Sequence, residues 1–148
     1  MNSIALQIIG VVILVLVNAF FVLAEFAIVK VRDTRMAELS AVGSRRARVA
    51  NHIVNHLDAY LSATQLGVTV ASMGLGWLGS EAFSDLFGLT KMNPVVGAVI
   101  AFVVVTFLTI IFGELVPKSV AIRKAERSAL LVSLPLRWFY LVTRPITW

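Results

Sequence analysis

The 148-residue chain contains no cysteine, few charged residues and only two histidines. Without cysteine there is neither a disulfide framework nor a thiolate metal site. The histidines, His52 and His56, lie in a basic polar stretch and by themselves are a weak indication of metal binding. Charged residues make up 14% of the chain, against about 25% in ordinary soluble domains. The sequence also lacks a nucleophile with an adjacent base and a phosphate-binding loop, so nothing in it indicates an enzyme.

Apolar residues dominate instead, at 59% of the chain with a mean hydropathy of +0.90. Residues 4–29 and 95–116 each exceed the roughly 20 apolar residues needed to cross a bilayer. Residues 61–78 are shorter and rich in Gly, Ser and Thr, which membrane helices place where they pack together. We therefore predict an all-α integral membrane protein with three transmembrane helices, the second of them central and protein-facing. The first apolar run has no basic flank before it and no cleavage site, which predicts a retained helix.

The distribution of basic residues supports three spans. Lys and Arg accumulate on cytoplasmic flanks, and here they follow the first and third spans, whereas Lys91 alone lies between the second and third. Three crossings place both basic blocks on one side. This predicts a multi-pass protein of the cell membrane (the inner or plasma membrane) with its N-terminus outside and its C-terminus in the cytoplasm.

The basic segment 33–57 predicts helices on the membrane surface. Asp33 can cap a short helix that ends near Ala41, Gly43 interrupts the pattern, and Ser44 can cap a second helix with regularly spaced apolar positions. Such basic helices suit contact with anionic lipid headgroups. Nucleic acid is not an expected partner.

A second surface helix is predicted over 118–145, interrupted at Pro135. The aromatic residues Trp138, Phe139 and Tyr140 are typical of a membrane interface. The apolar stretch here is too short and too broken to predict a fourth span.

The strongest functional feature is the string Gly113-Glu114-Leu115-Val116-Pro117-Lys118, which closes the third span. An acidic side chain in a bilayer costs roughly 2.5–3.5 kcal/mol, so Glu114 is a site candidate that needs a partner. Pro117 has no N–H to offer the carbonyl of Gly113, four residues earlier. A carboxylate and a carbonyl that lie side by side suit a small cation.

Other polar residues can be assigned to helix faces. On the second span, one stripe contains Gln65, Thr69, Ser72 and Gly76, while Asn18 and Glu25 share a face of the first span. Because lipid offers no hydrogen-bond partners, we expect these groups to turn inward and to line a cavity open to the cytoplasm.

Structural alternatives exist for each candidate. Glu114 could pair with Lys118 one turn later. Glu25, five residues before Lys30, could extend to the membrane–water interface or form an ion pair there. Asn18 and Ser72 could be interhelical hydrogen-bond partners and not ligands. Gly74 and Gly76 could permit close packing, or an unwound segment like those at transporter sites.

Four spaced motifs resemble the transmembrane domain of the CNNM/CorC (cyclin-M-like) family, especially its bacterial hemolysin-related members. They are Phe20-Phe21-Val22-Leu23-Ala24-Glu25-Phe26-Ala27, Leu61-Ser62-Ala63-Thr64-Gln65-Leu66-Gly67, Gly74-Leu75-Gly76-Trp77-Leu78-Gly79 and the string that contains Glu114. The resemblance covers essentially the whole chain, 1–148, as a single domain. It implies a homodimer that exports Mg²⁺, coupled to Na⁺ uptake, with cytoplasmic CBS and CorC domains following in longer relatives.

The resemblance also implies a Mg²⁺ site with oxygen ligands from all three spans, in which Glu114 matches the motif glutamate. Many relatives carry serine ligands at the positions of Val22 and Ala24, and this chain has none there. The predicted metal ligands are therefore Glu114, Gly113, Ser72, Asn18 and Glu25, and the predicted hinge residues are Pro117, Gly74 and Gly76. The alternatives are a membrane anchor and dimerisation module without transport, or an exporter of Na⁺ or a polyamine.

Overall fold

Helices account for all the regular structure in the part of the chain that is described. The structure is a computed structural model that describes residues 2–91 and 93–147; residues 1, 92 and 148 of the predicted domain lie outside it. The helices are α1 (Asn2–Lys30), α2 (Asp33–Ala41), α3 (Arg45–Asn55), α4 (Leu57–Leu86), a 3₁₀ turn (Leu89–Lys91), α5 (Pro94–Thr109), a π-helical segment (Ile110–Leu115), α6 (Val116–Arg123) and α7 (Ala125–Thr147).

Two of these helical stretches are long and apolar enough to cross a membrane, namely Ser3–Lys30 and Pro94–Arg123. At 28 and 30 residues they measure about 42–45 Å at 1.5 Å per residue. Few of their side chains are buried within the chain, which leaves broad apolar surfaces for lipid. The predicted helices at 4–29 and 95–116 are confirmed, but the second does not stop before Pro117. Pro117 lies within this continuous helical stretch, two residues after the end of the π-helical segment.

Helix α4 lies between α1 and α5 and packs against both. It is a single helix of 30 residues that contains the whole predicted segment 61–78. Its buried face consists mainly of small residues four apart in sequence, among them Ala63, Gly67 and Ala71. A Cβ at Gly67 would lie 2.6 Å from the Phe21 ring, so only glycine permits this approach of α4 to α1. This face of α4 packs against protein as predicted, whereas the opposite face is exposed in the single chain.

Helices α2, α3 and α7 form a collar around the C-terminal half of α1. One apolar cluster joins α1 to α3, α4 and α7 through Ile28, Ile53, Tyr60 and Leu136, and a second is centred on the fully buried Met36. The predicted surface helices therefore supply much of the folded core at the basic end of α1.

The predicted turn and cap between α2 and α3 are confirmed. Gly43 has φ +97°, a conformation open to glycine without strain, and the Ser44 hydroxyl accepts a hydrogen bond from the Ala47 N–H at 3.3 Å. The predicted cap by Asp33 is wrong, because Asp33 is the first residue of α2 and Arg32 occupies the cap without a side-chain bond. A carboxylate in the first turn still favours the helix dipole.

The second surface helix also differs from the predicted range 118–145. The backbone breaks at Lys124 (φ −129°, ψ 49°), and α7 then continues through Pro135 to Thr147. An interior proline costs about 3 kcal/mol. Val132 and Leu136, on either side of it, are both 0% exposed, and burying two such side chains contributes about 1.5–3 kcal/mol each. Packing on the collar thus offsets the proline.

Candidate cation site

Asn18 joins three helical elements at a fully buried position. Its side chain is 0% exposed, and its Nδ2 donates a hydrogen bond of 3.0 Å to the Gly113 carbonyl. The Ser72 hydroxyl donates to Asn18 Oδ1 at 3.1 Å. Three of the predicted ligands, from α1, α4 and the π-helical segment, are therefore brought into direct contact.

The position of Gly113 requires both the glycine and the proline that follows it. A Cβ at Gly113 would lie 2.8 Å from Asn18 Nδ2, so a side chain there would push the amide away. Since Pro117 cannot donate to the Gly113 carbonyl, Asn18 supplies the hydrogen bond that a buried carbonyl needs. The sequence predicts a Gly113 carbonyl without a hydrogen bond. In the structure this carbonyl accepts one from Asn18, a side chain of another helix.

Glu114 and Glu25 are half-buried carboxylates. Over residues 2–91 and 93–147, neither side chain makes a hydrogen bond, and the ion pairs within 4.0 Å are those of Arg35 with Glu38 and Glu126. The alternative pair of Glu114 with Lys118 does not form. Lys118 instead places its Nζ 4.6 Å from the centre of the Phe26 ring on α1, a cation–π contact that the sequence does not predict.

The predicted inward stripe on α4 is wrong for three of its four members. Gln65, Thr69 and Gly76 are exposed in the single chain, and Thr69 donates its hydroxyl to the Gln65 carbonyl of its own helix. The face that meets α1 follows Gly67, and Gln65 lies two residues away, about 200° around the helix. Only Ser72 reaches the site.

Comparison with known families supports the resemblance. The family model described as CNNM, the Cyclin M transmembrane N-terminal domain, matches residues 9–148. The chain belongs to the CNNM family. This family is associated with membrane cation transport.

Curated relatives agree with this assignment. The UPF0053 protein YugS of Bacillus subtilis is 46% identical over 148 residues, which cover 95% of this CNNM chain and 34% of YugS. The UPF0053 protein YhdT of the same organism is 45% identical over 144 residues (92% and 31%). An uncharacterised protein of Mycobacterium tuberculosis is 36% identical over 132 residues (86% and 38%). The chain thus spans about a third of the length of the relatives it matches.

The remaining predicted positions of the CNNM domain divide into apolar and open ones. Val22 and Ala24 are 4% and 0% exposed and bring no oxygen to the interior. Helix α4 is unbroken through Gly74 and Gly76, so the unwound segment considered from the sequence is absent in this described part. A Cβ on Gly74 would lie 3.2 Å from Leu14, whereas a Cβ on Gly76 would meet nothing within 4 Å.

The histidines of the CNNM domain lie in the collar, away from Asn18. The His52 and His56 rings stack with centroids 4.3 Å apart. Desolvation, followed by the charges of His56 and Arg137, lowers the pKa of His52 from its ordinary 6.5. Within the described ranges, His, Cys, Asp and Glu gather nowhere in groups of three that could hold a metal. A cation site in these described helices would therefore hold at most two such side chains and would need carbonyl, amide or hydroxyl oxygens as well.

Proposed function

We propose that this CNNM domain is the membrane-spanning part of a transporter that exports Mg²⁺ from the cytoplasm. The observation that carries the proposal is the half-buried Glu114, which has no hydrogen-bond or ion-pair partner among the described residues and directly follows the Gly113 carbonyl. A charge at membrane depth costs roughly 2.5–3.5 kcal/mol. A bound cation would offset that cost.

The donor set suits a hard cation. Glu114 would supply the charge, and the Gly113 carbonyl, Asn18 Oδ1 and the Ser72 hydroxyl would supply neutral oxygens. Mg²⁺ requires octahedral oxygen coordination and usually keeps several waters, with only one or two carboxylates among its ligands. Retained water would take the place of the hydroxyls that Val22 and Ala24 do not provide.

Cation binding would require Asn18 to reorient. In the structure its Nδ2 donates a hydrogen bond to the Gly113 carbonyl oxygen. A cation bound to the same oxygen would be repelled by this N–H group. A rotation of the amide would turn Oδ1 toward the ion. The Ser72 hydroxyl can follow because a hydroxyl both donates and accepts. The Asn18 amide would thus bond to the Gly113 carbonyl when no cation is bound and release it when one binds.

Glu25 would act at a different point of the path. It lies seven residues after Asn18, which is about 10 Å along α1, too far for both to bind one ion in the present arrangement. Lys118, packed on Phe26 beside it, would compete with an arriving cation for this carboxylate. We assign Glu25 to the cytoplasmic mouth of the path, and we adopt the coupling to Na⁺ uptake that the family resemblance implies.

The proposal includes the membrane arrangement. Helix α4 would be the second of three spans, with the N-terminus outside, the C-terminus in the cytoplasm of a multi-pass cell-membrane protein, and the basic collar against anionic headgroups. Pro117 and the π-helical segment would provide the hinge, supported by Gly74 on α4. The chain would work as a homodimer through its transmembrane helices, with Gly76 at the contact.

The decisive experiment is Mg²⁺ efflux from liposomes that contain the purified chain. We expect Glu114→Gln to lower the efflux rate at least tenfold, and to abolish the increase in melting temperature that Mg²⁺ produces. The matched control is Glu81→Gln, which replaces an exposed glutamate near the C-terminal end of α4. It should leave the efflux rate and the Mg²⁺-dependent melting temperature unchanged. Wild-type rates and Mg²⁺ stabilisation in Glu114→Gln would exclude the site.

A second candidate function is a membrane anchor and dimerisation module without transport. It is favoured by the Asn18–Gly113 hydrogen bond, which satisfies the carbonyl without any ion. In that case, wild-type liposomes would show no efflux and Asn18 would be purely structural. Competition of Mg²⁺ stabilisation by Na⁺ or a polyamine would identify a different transported cation.

A further inference from the structure

A groove lies where the second apolar helix leaves the membrane-spanning range. It has a volume of about 370 Å³. The residues that line it are Leu115, Val116, Ser119, Val120, Arg123 and Lys124. It is separate from the Asn18 contact, and none of the cation-site residues lines it.

The two ends of the groove differ in chemistry. Leu115, Val116 and Val120 are aliphatic and 51%, 49% and 43% exposed. The other end carries a hydroxyl and two basic side chains, and Arg123 is the last residue of the candidate span. The groove therefore crosses from hydrocarbon depth to the level of the headgroups.

The positive charges at the basic end of the groove are not neutralised by ion pairs with described carboxylates. The nearest acidic residue in sequence, Glu126, already accepts a hydrogen bond from Arg35 Nε at 3.3 Å. Over the described ranges, Arg123, Lys124 and Arg127 have no carboxylate within 4.0 Å. The charge at this junction is therefore available to an anion.

The helix break defines where these charges lie. At Lys124 the backbone leaves α6, with its N–H still bonded to the Val120 carbonyl at 2.9 Å, and α7 starts at the next residue. The basic pair is thereby held at the end of an apolar helix face. By contrast, Arg45 and Arg46 begin α3, whose exposed residues are polar or charged, so they offer charge without an apolar wall.

We propose that this groove binds one anionic phospholipid. The phosphate would contact Arg123, Lys124 and the Ser119 hydroxyl, while the start of an acyl chain would lie along Val116 and Val120. Basic pockets at the membrane boundary recognise such headgroups, and an aliphatic wall suits a lipid better than free phosphate. The inference does not depend on cation transport.

The test is lipid binding by the detergent-purified chain, counted by native mass spectrometry with phosphatidylglycerol and with phosphatidylcholine. We expect one phosphatidylglycerol per chain in the wild type. Arg123→Gln with Lys124→Gln should weaken it by at least tenfold. The matched control, Arg45→Gln with Arg46→Gln, removes the same charge from α3 and should retain the lipid. Equal loss in both pairs, or loss in neither, would overturn a discrete site.

The apolar wall has its own test. Val116→Ser with Val120→Ser should weaken phosphatidylglycerol binding, and soluble glycerol phosphate should bind far more weakly than the lipid to the wild type. Glycerol phosphate that binds as tightly as the lipid would make this a phosphate site and overturn the lipid assignment.

A measurement on the wild-type chain tests the lipid site even if the variants fail to fold. A photoactivatable phosphatidylglycerol, with its reactive group near the headgroup, should label residues 115–124 preferentially in liposomes, and excess phosphatidylglycerol should compete. Labelling spread evenly over α3, α5 and the groove would contradict the proposal.

Discussion

At the scale of single residues, the sequence singles out the candidate residues but not the contacts between them. The cost of a charge in the bilayer pointed to Glu114, and the missing N–H of Pro117 pointed to Gly113. That Asn18 satisfies this carbonyl could not be read from the sequence, because the two residues are 95 positions apart and the face of each helix depends on its packing. Ser72 was distinguished from Gln65 and Thr69 only by the structure, for the same reason.

Asn18 gives a residue-scale prediction for stability. Asn18→Ala leaves the Gly113 carbonyl buried without its partner, which should lower the free energy of unfolding by about 1–3 kcal/mol. Ser72→Ala leaves the buried Asn18 Oδ1 without its donor and should also cost about 1–3 kcal/mol. The measurement is denaturant unfolding in detergent, followed by circular dichroism.

The control for this pair is Asn55→Ala, an exposed asparagine at the end of α3, which should change stability by less than about 0.5 kcal/mol. If Asn18→Ala were as stable as this control, the buried hydrogen bond would not hold the three elements together.

At the scale of helices, the long apolar elements and the Ser44 cap followed from local sequence, whereas the irregular elements did not. The segment Ile110–Leu115 is π-helical, yet nothing in its apolar composition distinguishes it from the α-helix around it. π-Helical turns occur mostly as single insertions, frequently at functional sites. Here the segment contains both Gly113 and Glu114. The continuation of α7 through Pro135 was likewise missed, since it depends on burial against α1, α3 and α4.

Pro117 gives the prediction at this scale. Pro117→Ala restores an N–H that can donate to Gly113 and compete with Asn18, which favours ordinary α-helix over the π-helical turn. Conversion of the π-helical turn to α-helix would change the orientation of Glu114 by about 100° around the helix axis and would thereby disturb the proposed site. We expect unchanged helix content by circular dichroism and Mg²⁺ efflux at least tenfold slower than wild type.

Pro145→Ala serves as the comparison, since Pro145 is an exposed proline near the end of α7 and its replacement should leave efflux unaltered. Normal efflux in Pro117→Ala would show that neither the proline nor the π-helical turn is needed for transport.

At the scale of the whole molecule, part of α4 is not covered by the described residues of one chain. The face toward α1 is filled by small residues, but Gln65, Thr69 and Gly76 are exposed although they belong to a helix between two apolar ones. Polar side chains at membrane depth normally face protein. The sequence predicts that these residues turn inward, but within the single chain they are exposed; a second copy covers them only in the homodimer that we propose.

The two neighbouring glycines of α4 separate folding from association. Gly76→Leu adds a side chain where a Cβ meets nothing within 4 Å, so it should leave the melting temperature of the single chain unchanged but lower dimer affinity at least tenfold. Gly74→Leu would push against Leu14, 3.2 Å from its Cβ, and should lower the melting temperature. Light scattering after size exclusion over a range of detergent concentrations measures the dimer. Val99→Leu, on the exposed face of α5, should affect neither quantity. A Gly76→Leu chain that still dimerises like the wild type would place the homodimer contact on another face, because a leucine cannot fit where two helices meet at glycine.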